Sequence, residues 1–119
     1  MIAEGSVRIF PTEDPERVHK SIEVIFPDSD ITKEGDLFSF STSDLSIFIE
    51  KLKEQRIRNT AAMIIGKCME NEDPVFYLNK QAAYAGSINF TDGDSTLGDI
   101  LIRIRSGGDT LVKTLEKGD

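Results

Sequence analysis

The chain has 119 residues, 39% of them hydrophobic, which predicts one folded domain over residues 1–119 and excludes an intrinsically disordered protein. No apolar run approaches the roughly 18 residues of a membrane span, and the first residues lack the basic and apolar regions of a secretion signal. The single cysteine, Cys68, excludes an internal disulfide. It fits a reducing compartment, so we expect a cytoplasmic protein.

Charge is unevenly distributed along the chain. The formal net charge is −7, which disfavours nucleic acid as a partner because phosphate contacts need Lys and Arg. Residues 1–50 contain four basic and eleven acidic side chains, whereas residues 51–105 contain eight and seven. Any surface that contacts phosphate is therefore expected to come from the central segment.

The first part of the chain predicts a strand, a helix and a hairpin. Residues 6–10 resemble a strand. Asp14 is expected to be the N-cap of the helix, with Pro15 at its first position, and the helix is expected to end at residues 26–28. Strands at residues 31–33 and 37–41 then flank Gly35, which supplies the positive φ of a short turn.

A second helical region follows, with Ser43 as its expected N-cap. It contains two apolar stripes that fall out of phase across residues 53–55, namely Leu45, Phe48, Ile49 and Leu52, then Ile57, Ala61, Ile64 and Ile65. Because one straight helix cannot turn both stripes towards the same core, we expect a kink or two consecutive helices.

The rest of the chain predicts strands at residues 75–78, 86–90 and 99–105, then a last helix. The strand at 99–105 is the clearest, because isoleucine recurs at every second position, at Ile100, Ile102 and Ile104. Asp109 is expected to be the N-cap of the last helix, which turns Leu111 and Leu115 inwards.

The element order β-α-β-β-α-α-β-β-β-α favours an α+β fold, a two-layer sandwich with the helices packed on one face of a mixed or antiparallel sheet. The alternation assigns the faces. The residues expected to meet the helices are Ile100, Ile102, Ile104, Ile88, Phe90, Phe38 and Phe40. The residues expected on the open face are Arg103, Arg105, Asn89, Ser87, Ser39, Arg8 and Tyr77.

No sequence pattern predicts catalysis or a metal site. His19 is the only histidine and, with no second His or Cys near it in the sequence, is expected to be an exposed helical residue. The serines lack the glycine-flanked turn of a nucleophile. We therefore predict no catalytic residue, no metal, no cofactor and no enzymatic activity. A site assembled from Glu13, Asp14, Lys80 and Gln81 remains an alternative, although nothing in their spacing requires it.

Two polar features can each be explained by structure or by binding. The first is the segment Asn79-Lys80-Gln81-Ala82-Ala83, with Asn89 downstream. It can form a turn that Asn89 fixes by a hydrogen bond to Asn79, or it can contact a ligand. The second is a run of four cations, which is either a solvated helix face or an edge that contacts phosphate. Its members are Lys51, Lys53, Arg56 and Arg58.

Several motifs together resemble a family of archaeal proteins of unknown function, uncharacterised protein family 0201. They are Pro11-Thr12-Glu13-Asp14-Pro15, Phe26-Pro27-Asp28, Leu78-Asn79-Lys80-Gln81-Ala82-Ala83 with Gly86 and Asn89-Phe90, and Leu97-Gly98-Asp99-Ile100. The resemblance covers residues 7–104. It implies a two-layer fold similar to large-subunit ribosomal protein five, and RNA binding, which is itself a prediction for that family.

The family's middle helix has a Leu-Asp pair before Thr and an Arg soon after the following Ala. Here Arg58 and Asn59 precede Thr60, and Ala62 and Met63 follow Ala61. One expected cation is therefore absent and another is gained.

The leading hypothesis is a non-enzymatic RNA-binding protein that contacts structured RNA through a central basic and polar surface. Its phosphate contacts are predicted to be Arg56, Arg58, Lys80, Arg103 and Arg105. Its contacts to sugar or base edges are predicted to be Asn79, Gln81 and Asn89. The alternative is a protein-interaction or self-associating module, a homodimer for example, whose open sheet face bears Phe10, Leu37 and Leu101.

Overall fold

The computed structural model describes residues 1–70, 73–94 and 98–116, which form one sheet with helices on one face. Their elements, in chain order, are β1 (Ile2–Arg8), α1 (Pro15–Ile25), β2 (Asp30–Glu34), β3 (Leu37–Thr42), α2 (Ser46–Glu54), α3 (Arg58–Lys67), β4 (Met69–Glu70), β5 (Asp73–Asn79), α4 (Lys80–Tyr84), β6 (Phe90–Thr91), β7 (Asp99–Arg105) and α5 (Gly108–Glu116).

The strands lie side by side in the order β2-β3-β1-β7-β5, and both short strands, β4 and β6, pair with β5. Every pairing is antiparallel. The α+β two-layer fold predicted from the sequence is therefore confirmed. The predicted order lacked β4 and α4, two elements too short to produce a periodicity of their own.

Alternation along the strands separates a buried face from an open one. On β7 the residues Ile100, Ile102 and Ile104 are buried, whereas Arg103 and Arg105 are exposed. The β3 residues follow the same rule, with Phe38 and Phe40 buried and Ser39 exposed. Among the residues predicted to meet the helices, Phe90 differs by being only half buried.

A row of five phenylalanines crosses the interface between the layers. The rings join β3, the end of α1, α2, β5 and β6 in turn, in the order Phe40, Phe26, Phe48, Phe76 and Phe90. Successive centroids lie 5.7, 5.6, 6.2 and 5.5 Å apart. These are the separations of favourable aromatic pairs, so one continuous contact joins the α1–α2 layer to both halves of the sheet.

Several predicted ends of elements differ from the structure. The first strand ends at Arg8, and Phe10 lies in the loop after it. The second helix begins at Ser46, and its N-cap is Leu45 and not Ser43. Asp44, one residue before the cap, stabilises this start because its carboxylate accepts hydrogen bonds from the backbone N–H and the hydroxyl of Ser46. These two bonds also hold the pKa of Asp44 below its usual value.

Other corrections lie in the second half of the chain. Residues 86–89 were expected to start a strand, but only Phe90 and Thr91 pair with β5. Asp109 lies in the first turn of α5, since the carbonyl of Gly107 accepts the first helical bond, from the N–H of Leu111. Leu97 of the last family motif lies outside the described residues.

Gly5 and Gly66 offer opposite tests of this packing. A Cβ on Gly5 would overlap the carbonyl oxygen of Leu101, whereas a Cβ on Gly66, in α3, would meet nothing within 4 Å. We expect Gly5→Ala to lower the free energy of unfolding by about 1–3 kcal/mol, the cost of overpacking. We expect Gly66→Ala to raise it by about 0.5–1 kcal/mol, because a helical glycine loses more entropy than alanine on folding.

Urea denaturation of both variants measures the two changes in unfolding free energy. Equal effects of the two substitutions would contradict the close approach of β1 and β7 at Gly5.

Candidate nucleic-acid interface

The eight predicted site residues lie in three separate places. Arg103 and Arg105 lie on the open face of the sheet. Arg56 and Arg58 lie at the junction between α2 and α3, and Asn89 follows Ile88, which Gln55 binds at that junction. Asn79, Lys80 and Gln81 lie where β5 passes into α4, which packs against α1. The fold thus gives three candidate surfaces in place of one.

Asn79 and Asn89 fix the start of α4. The side-chain oxygen of Asn79 accepts a hydrogen bond from the N–H of Ala82 at 2.8 Å, which makes Asn79 the N-cap. The N–H of Asn79 donates to the carbonyl of Asn89 at 2.8 Å. The expected bond between the two residues therefore exists, although it joins their backbones and leaves the Asn89 side chain exposed.

Lys80 lies inside the protein, with 3% of its surface exposed. Its Nζ donates to both carboxylate oxygens of Glu13, at 2.9 and 3.2 Å, and to the carbonyl of Arg8 at 2.8 Å. It also lies 5.2 Å from the ring centroid of Phe10. A buried ammonium group is stable only when it is paired and hydrogen-bonded. Lys80 is therefore an internal ion-pair partner, whereas the sequence predicted that it contacts phosphate.

A cleft of about 300 Å³ opens between α1 and α4, above this ion pair. Its lining comprises Thr12, Glu13, Asp14, Arg17, Val18, Lys80, Gln81 and Tyr84. It thus gathers the four residues of the enzyme alternative. Two of its carboxylates already have partners: Glu13 accepts from Lys80, and Asp14 accepts from the N–H of Glu16 at 3.0 Å as the N-cap of α1.

The junction of α2 and α3 turns on one unusual residue, Arg56, which has φ 60°. Its N–H donates to the carbonyl of Lys53 at 3.1 Å, and the N–H of Ile57 donates to the carbonyl of Leu52 at 3.0 Å. These two bonds define a Schellman motif, in which the left-handed position is usually glycine. The motif ends α2 and confirms that two consecutive helices carry the two apolar stripes.

An open groove of about 470 Å³ lies at this junction, which we call the α2–α3 groove. Three of its side chains are cationic and two are acidic, and its lining is Glu50, Lys53, Glu54, Arg56, Arg58 and Asn59. The basic run of the sequence therefore does not spread evenly around a helix. The left-handed turn gathers its last three members, Lys53, Arg56 and Arg58, around one depression.

Two α2 side chains bind the segment 86–89 to this junction. The amide of Gln55 donates to the carbonyl of Ile88 at 2.9 Å and accepts from its N–H at 2.7 Å. The Nζ of Lys51 donates to the carbonyl of Gly86 at 3.1 Å. These bonds take the place of strand pairing for residues 86–88, and they attach the segment that carries Asn89 to the end of α2.

Gln55 is a positioning residue that is absent from the site predicted from the sequence. A signal for it existed, because Gln55 lies three residues after Leu52 and so places an amide in line with the buried stripe of α2.

On the open face, both predicted arginines have acidic partners. Arg103 donates to Asp73 at 2.9 Å, and Arg105 lies 3.3 Å from Glu4. The hydrogen bond from Arg103 is the main reason that the pKa of Asp73 lies below its usual 3.8. The strand register places three basic and five acidic residues on this face, namely Arg8, Arg103 and Arg105 against Glu4, Asp30, Glu34, Asp73 and Asp99. The face is therefore electrostatically less suited to phosphate than the α2–α3 groove.

Among the described residues, no group of three or more His, Cys, Asp or Glu side chains is arranged to hold a metal ion. None of the helices in the described ranges is long and apolar enough to cross a membrane. His19 packs edge-on against Phe38, and its Nδ1 lies 2.8 Å from Oε1 of Glu23.

A family model described as RNA binding matches residues 3–106 of the chain. A UPF0200/UPF0201 protein of Archaeoglobus fulgidus is 39% identical over 104 residues, which cover 86% of this chain but 32% of that protein. A UPF0201 protein of Methanothermobacter thermautotrophicus is 38% identical over 98 residues, 80% of this chain and 74% of that protein. The crystal structure of a UPF0201 protein from Methanococcus jannaschii has a TM-score of 0.85 and 31% identity, and the match covers 98% of each chain.

The Lys80–Glu13 pair can be tested through stability. We expect Lys80→Met to lower the free energy of unfolding by about 3–5 kcal/mol, because it leaves the Glu13 carboxylate buried and uncompensated. The double variant Lys80→Met/Glu13→Gln removes both charges and is expected to recover part of that loss. Denaturant unfolding of the unaltered protein, of each single variant, Lys80→Met and Glu13→Gln, and of the double variant measures the coupling. A loss of stability in the double variant equal to the sum of the two single losses would show that the residues do not act as a pair.

Proposed function

The chain belongs to the UPF0201 family of archaeal proteins, and we propose that it binds structured RNA, without catalysis, through the α2–α3 groove. The family model described as RNA binding, which matches residues 3–106, supports the general activity. Charge and geometry favour the α2–α3 groove as the surface that binds RNA. The lone, half-buried Cys68 is consistent with a reducing, cytoplasmic setting for this role.

Charge favours the groove over the other two places. Lys53, Arg56 and Arg58 outnumber the two glutamates beside them, whereas the open face has more acidic than basic strand residues. Phosphate contacts supply most of the affinity in protein–nucleic acid complexes. A local excess of cations on a protein of net charge −7 therefore directs RNA to this surface and away from the acidic remainder.

The observation that carries the proposal is the conformation of Arg56. A non-glycine residue in the left-handed region costs about 1–2 kcal/mol, and glycine would fit the turn without that cost. Backbone strain of this kind is concentrated at functional sites, where the side chain justifies it. An exposed arginine side chain that extends from a strained turn, between two other cations, is explained by contact with an anion.

The neighbouring Asn89 extends the surface beyond phosphate. Its side chain is exposed, and Gln55 and Lys51 hold the segment that carries it. An amide can donate and accept, so it matches a ribose 2′-hydroxyl or a base edge. Proteins read A-form RNA largely through its shape, phosphates and 2′-hydroxyls, and a basic groove with one amide beside it offers those contacts.

The first test measures affinity for an RNA duplex of about 16 base pairs across a salt series. We expect binding to weaken with salt, and Arg56→Gly to weaken it about tenfold at low salt, since a hydrogen bond to a charged group contributes about 1.5 kcal/mol. The slope of log affinity against log salt concentration is expected to become less negative by about 1 in this variant. Arg56→Gly is expected to leave the free energy of unfolding equal or up to about 1 kcal/mol higher, because glycine relieves the strained turn.

The matched control is Arg103→Gln/Arg105→Gln on the open face, which removes two exposed arginines far from the groove. We expect this variant to bind the duplex as the unaltered protein does. The reverse pattern, with affinity lost in the control and kept in Arg56→Gly, would move the RNA site to the open face. No binding by the unaltered protein at low salt would reject the proposal.

Self-association through the open sheet face is a second candidate. Val75 is 40% exposed there, and Leu37 and Leu101 are partly exposed. Phe10 does not contribute as expected, because it lies outside the strand and its ring packs beneath Lys80. The face is also charged in a self-complementary way, with Asp30 and Glu34 on the β2 edge and the arginine side chains on β7.

Sedimentation velocity at two protein concentrations tests this candidate. If the face joins two copies, we expect a dimer that Val75→Glu converts to monomer, because the substitution buries a charge in the interface. A monomer at both concentrations would reject self-association.

A further inference from the structure

We propose that the α1–α4 cleft is a second site, which binds one nucleoside monophosphate by stacking its base and pairing with its phosphate. Such a nucleotide can be free or can be an unpaired residue of an RNA. The site is separate from the α2–α3 groove. Only the RNA form of the ligand rests on the proposed function, and the experiment below distinguishes the two sources.

The cleft has a fixed floor. Lys80 and Glu13 form its base, and their side chains are only 4% and 9% exposed. The second bond of Lys80, to the Arg8 carbonyl, and the bond from the Phe10 N–H to Glu13 hold both side chains in place. A cavity of about 300 Å³ above them lies at the small end of the range for small-molecule sites. The floor of the cleft is therefore preformed.

The wall of the cleft provides a stacking surface. The guanidinium of Arg17 lies 4.3 Å from the centre of the Tyr84 ring. This contact holds a long, exposed side chain against a half-buried ring, which lowers the entropy lost when a ligand binds. Aromatic rings and arginine guanidinium planes are the groups on which proteins stack unpaired bases. Arg17 and Tyr84 together form such a platform.

Polar groups around the platform match the rest of a nucleotide. Gln81 is exposed at the rim of the cleft, and its amide can donate and accept at a base edge. Lys20 lies 5.5 Å from the Tyr84 ring centre and brings a second cation to the same ring. The charge of Glu13 is balanced by Lys80, whereas Asp14 is exposed and keeps its negative charge. Lys20 lies beside the cleft and is not in its lining, so we place the ligand phosphate at the end of the cleft where Arg17 and Lys20 approach Tyr84.

The two tyrosines of the chain make the test internally controlled. Tyr84 lines the cleft, whereas Tyr77 lies on the opposite, open face of the sheet in register with Leu101. The full chain is prepared with ring-labelled tyrosine and titrated with each of the four nucleoside 5′-monophosphates from the micromolar to the millimolar range. We expect the NMR signal of Tyr84 to shift in a saturable way and that of Tyr77 to stay unchanged.

Variants test the assigned roles. Arg17→Ala is expected to raise the dissociation constant at least about fivefold, the effect of removing one stacking partner of a base. Tyr84→Phe keeps the ring and is expected to keep nucleotide binding, followed then by the amide signal of Ala85. The matched control, Lys113→Ala, removes an exposed cation from α5 and is expected to bind as the unaltered protein does.

Two further titrations identify the ligand source and can overturn the proposal. If a hairpin RNA with unpaired loop nucleotides shifts the NMR signal of Tyr84 and the free monophosphates do not, the ligand is an RNA residue. If the free monophosphates shift the signal and the hairpin does not, the ligand is a free nucleotide. Inorganic phosphate that reproduces the Tyr84 shift would overturn base stacking, as would no Tyr84 shift with any of these ligands. Arg56→Gly alters the α2–α3 groove and keeps the cleft intact. If this variant loses duplex binding while its Tyr84 titration is unchanged, the two sites act independently, and failure of the groove proposal is distinguished from failure of the cleft proposal.

Discussion

The buried ion pair of Lys80 and Glu13 is the contact on which the arrangement of the other parts depends. Burial of an ammonium group far from water is tolerated only if every donor finds an acceptor. Here the Glu13 carboxylate and the Arg8 carbonyl lie within hydrogen-bonding distance. The pair thereby joins the end of β1 to the start of α4, next to the point where Asn79 caps that helix. It fixes the floor of the α1–α4 cleft and explains the polar segment as architecture that also shapes the proposed nucleotide site.

The fold sorts the cations of the central segment into groups with different roles. Lys80 is neutralised in the interior, Lys51 holds the segment after α4, and the arginines of β7 pair with acids across the sheet. Lys53, Arg56 and Arg58 share one groove at the end of α2 and the start of α3. A net charge summed over residues 51–105 cannot show this, because electrostatic attraction of RNA depends on which charges share a face.

Backbone conformation and side-chain bonding cooperate at that surface. The left-handed Arg56 turns the chain sharply enough to start α3 while α2 keeps its last carbonyls satisfied. The preceding residue, Gln55, replaces a missing strand by bonding both backbone groups of Ile88. The Arg56 side chain extends into the groove, whereas the Gln55 side chain bonds to the segment 86–89. A basic groove and an ordered polar segment therefore lie side by side.

Features that depend on near neighbours along the chain could be predicted from the sequence. They are the alternation of Ile100, Ile102 and Ile104, the Asp14–Pro15 start of α1, and the two out-of-phase stripes of α2 and α3, and together they predicted the two-layer α+β fold. Which polar side chains reach solvent depends instead on contacts between distant parts of the chain. Lys80 meets Glu13 across 67 positions, Gln55 meets Ile88 across 33 and Arg103 meets Asp73 across 30. No local pattern encodes such pairs, because the free energy of a charge or an amide depends on the partner and burial that the folded chain provides.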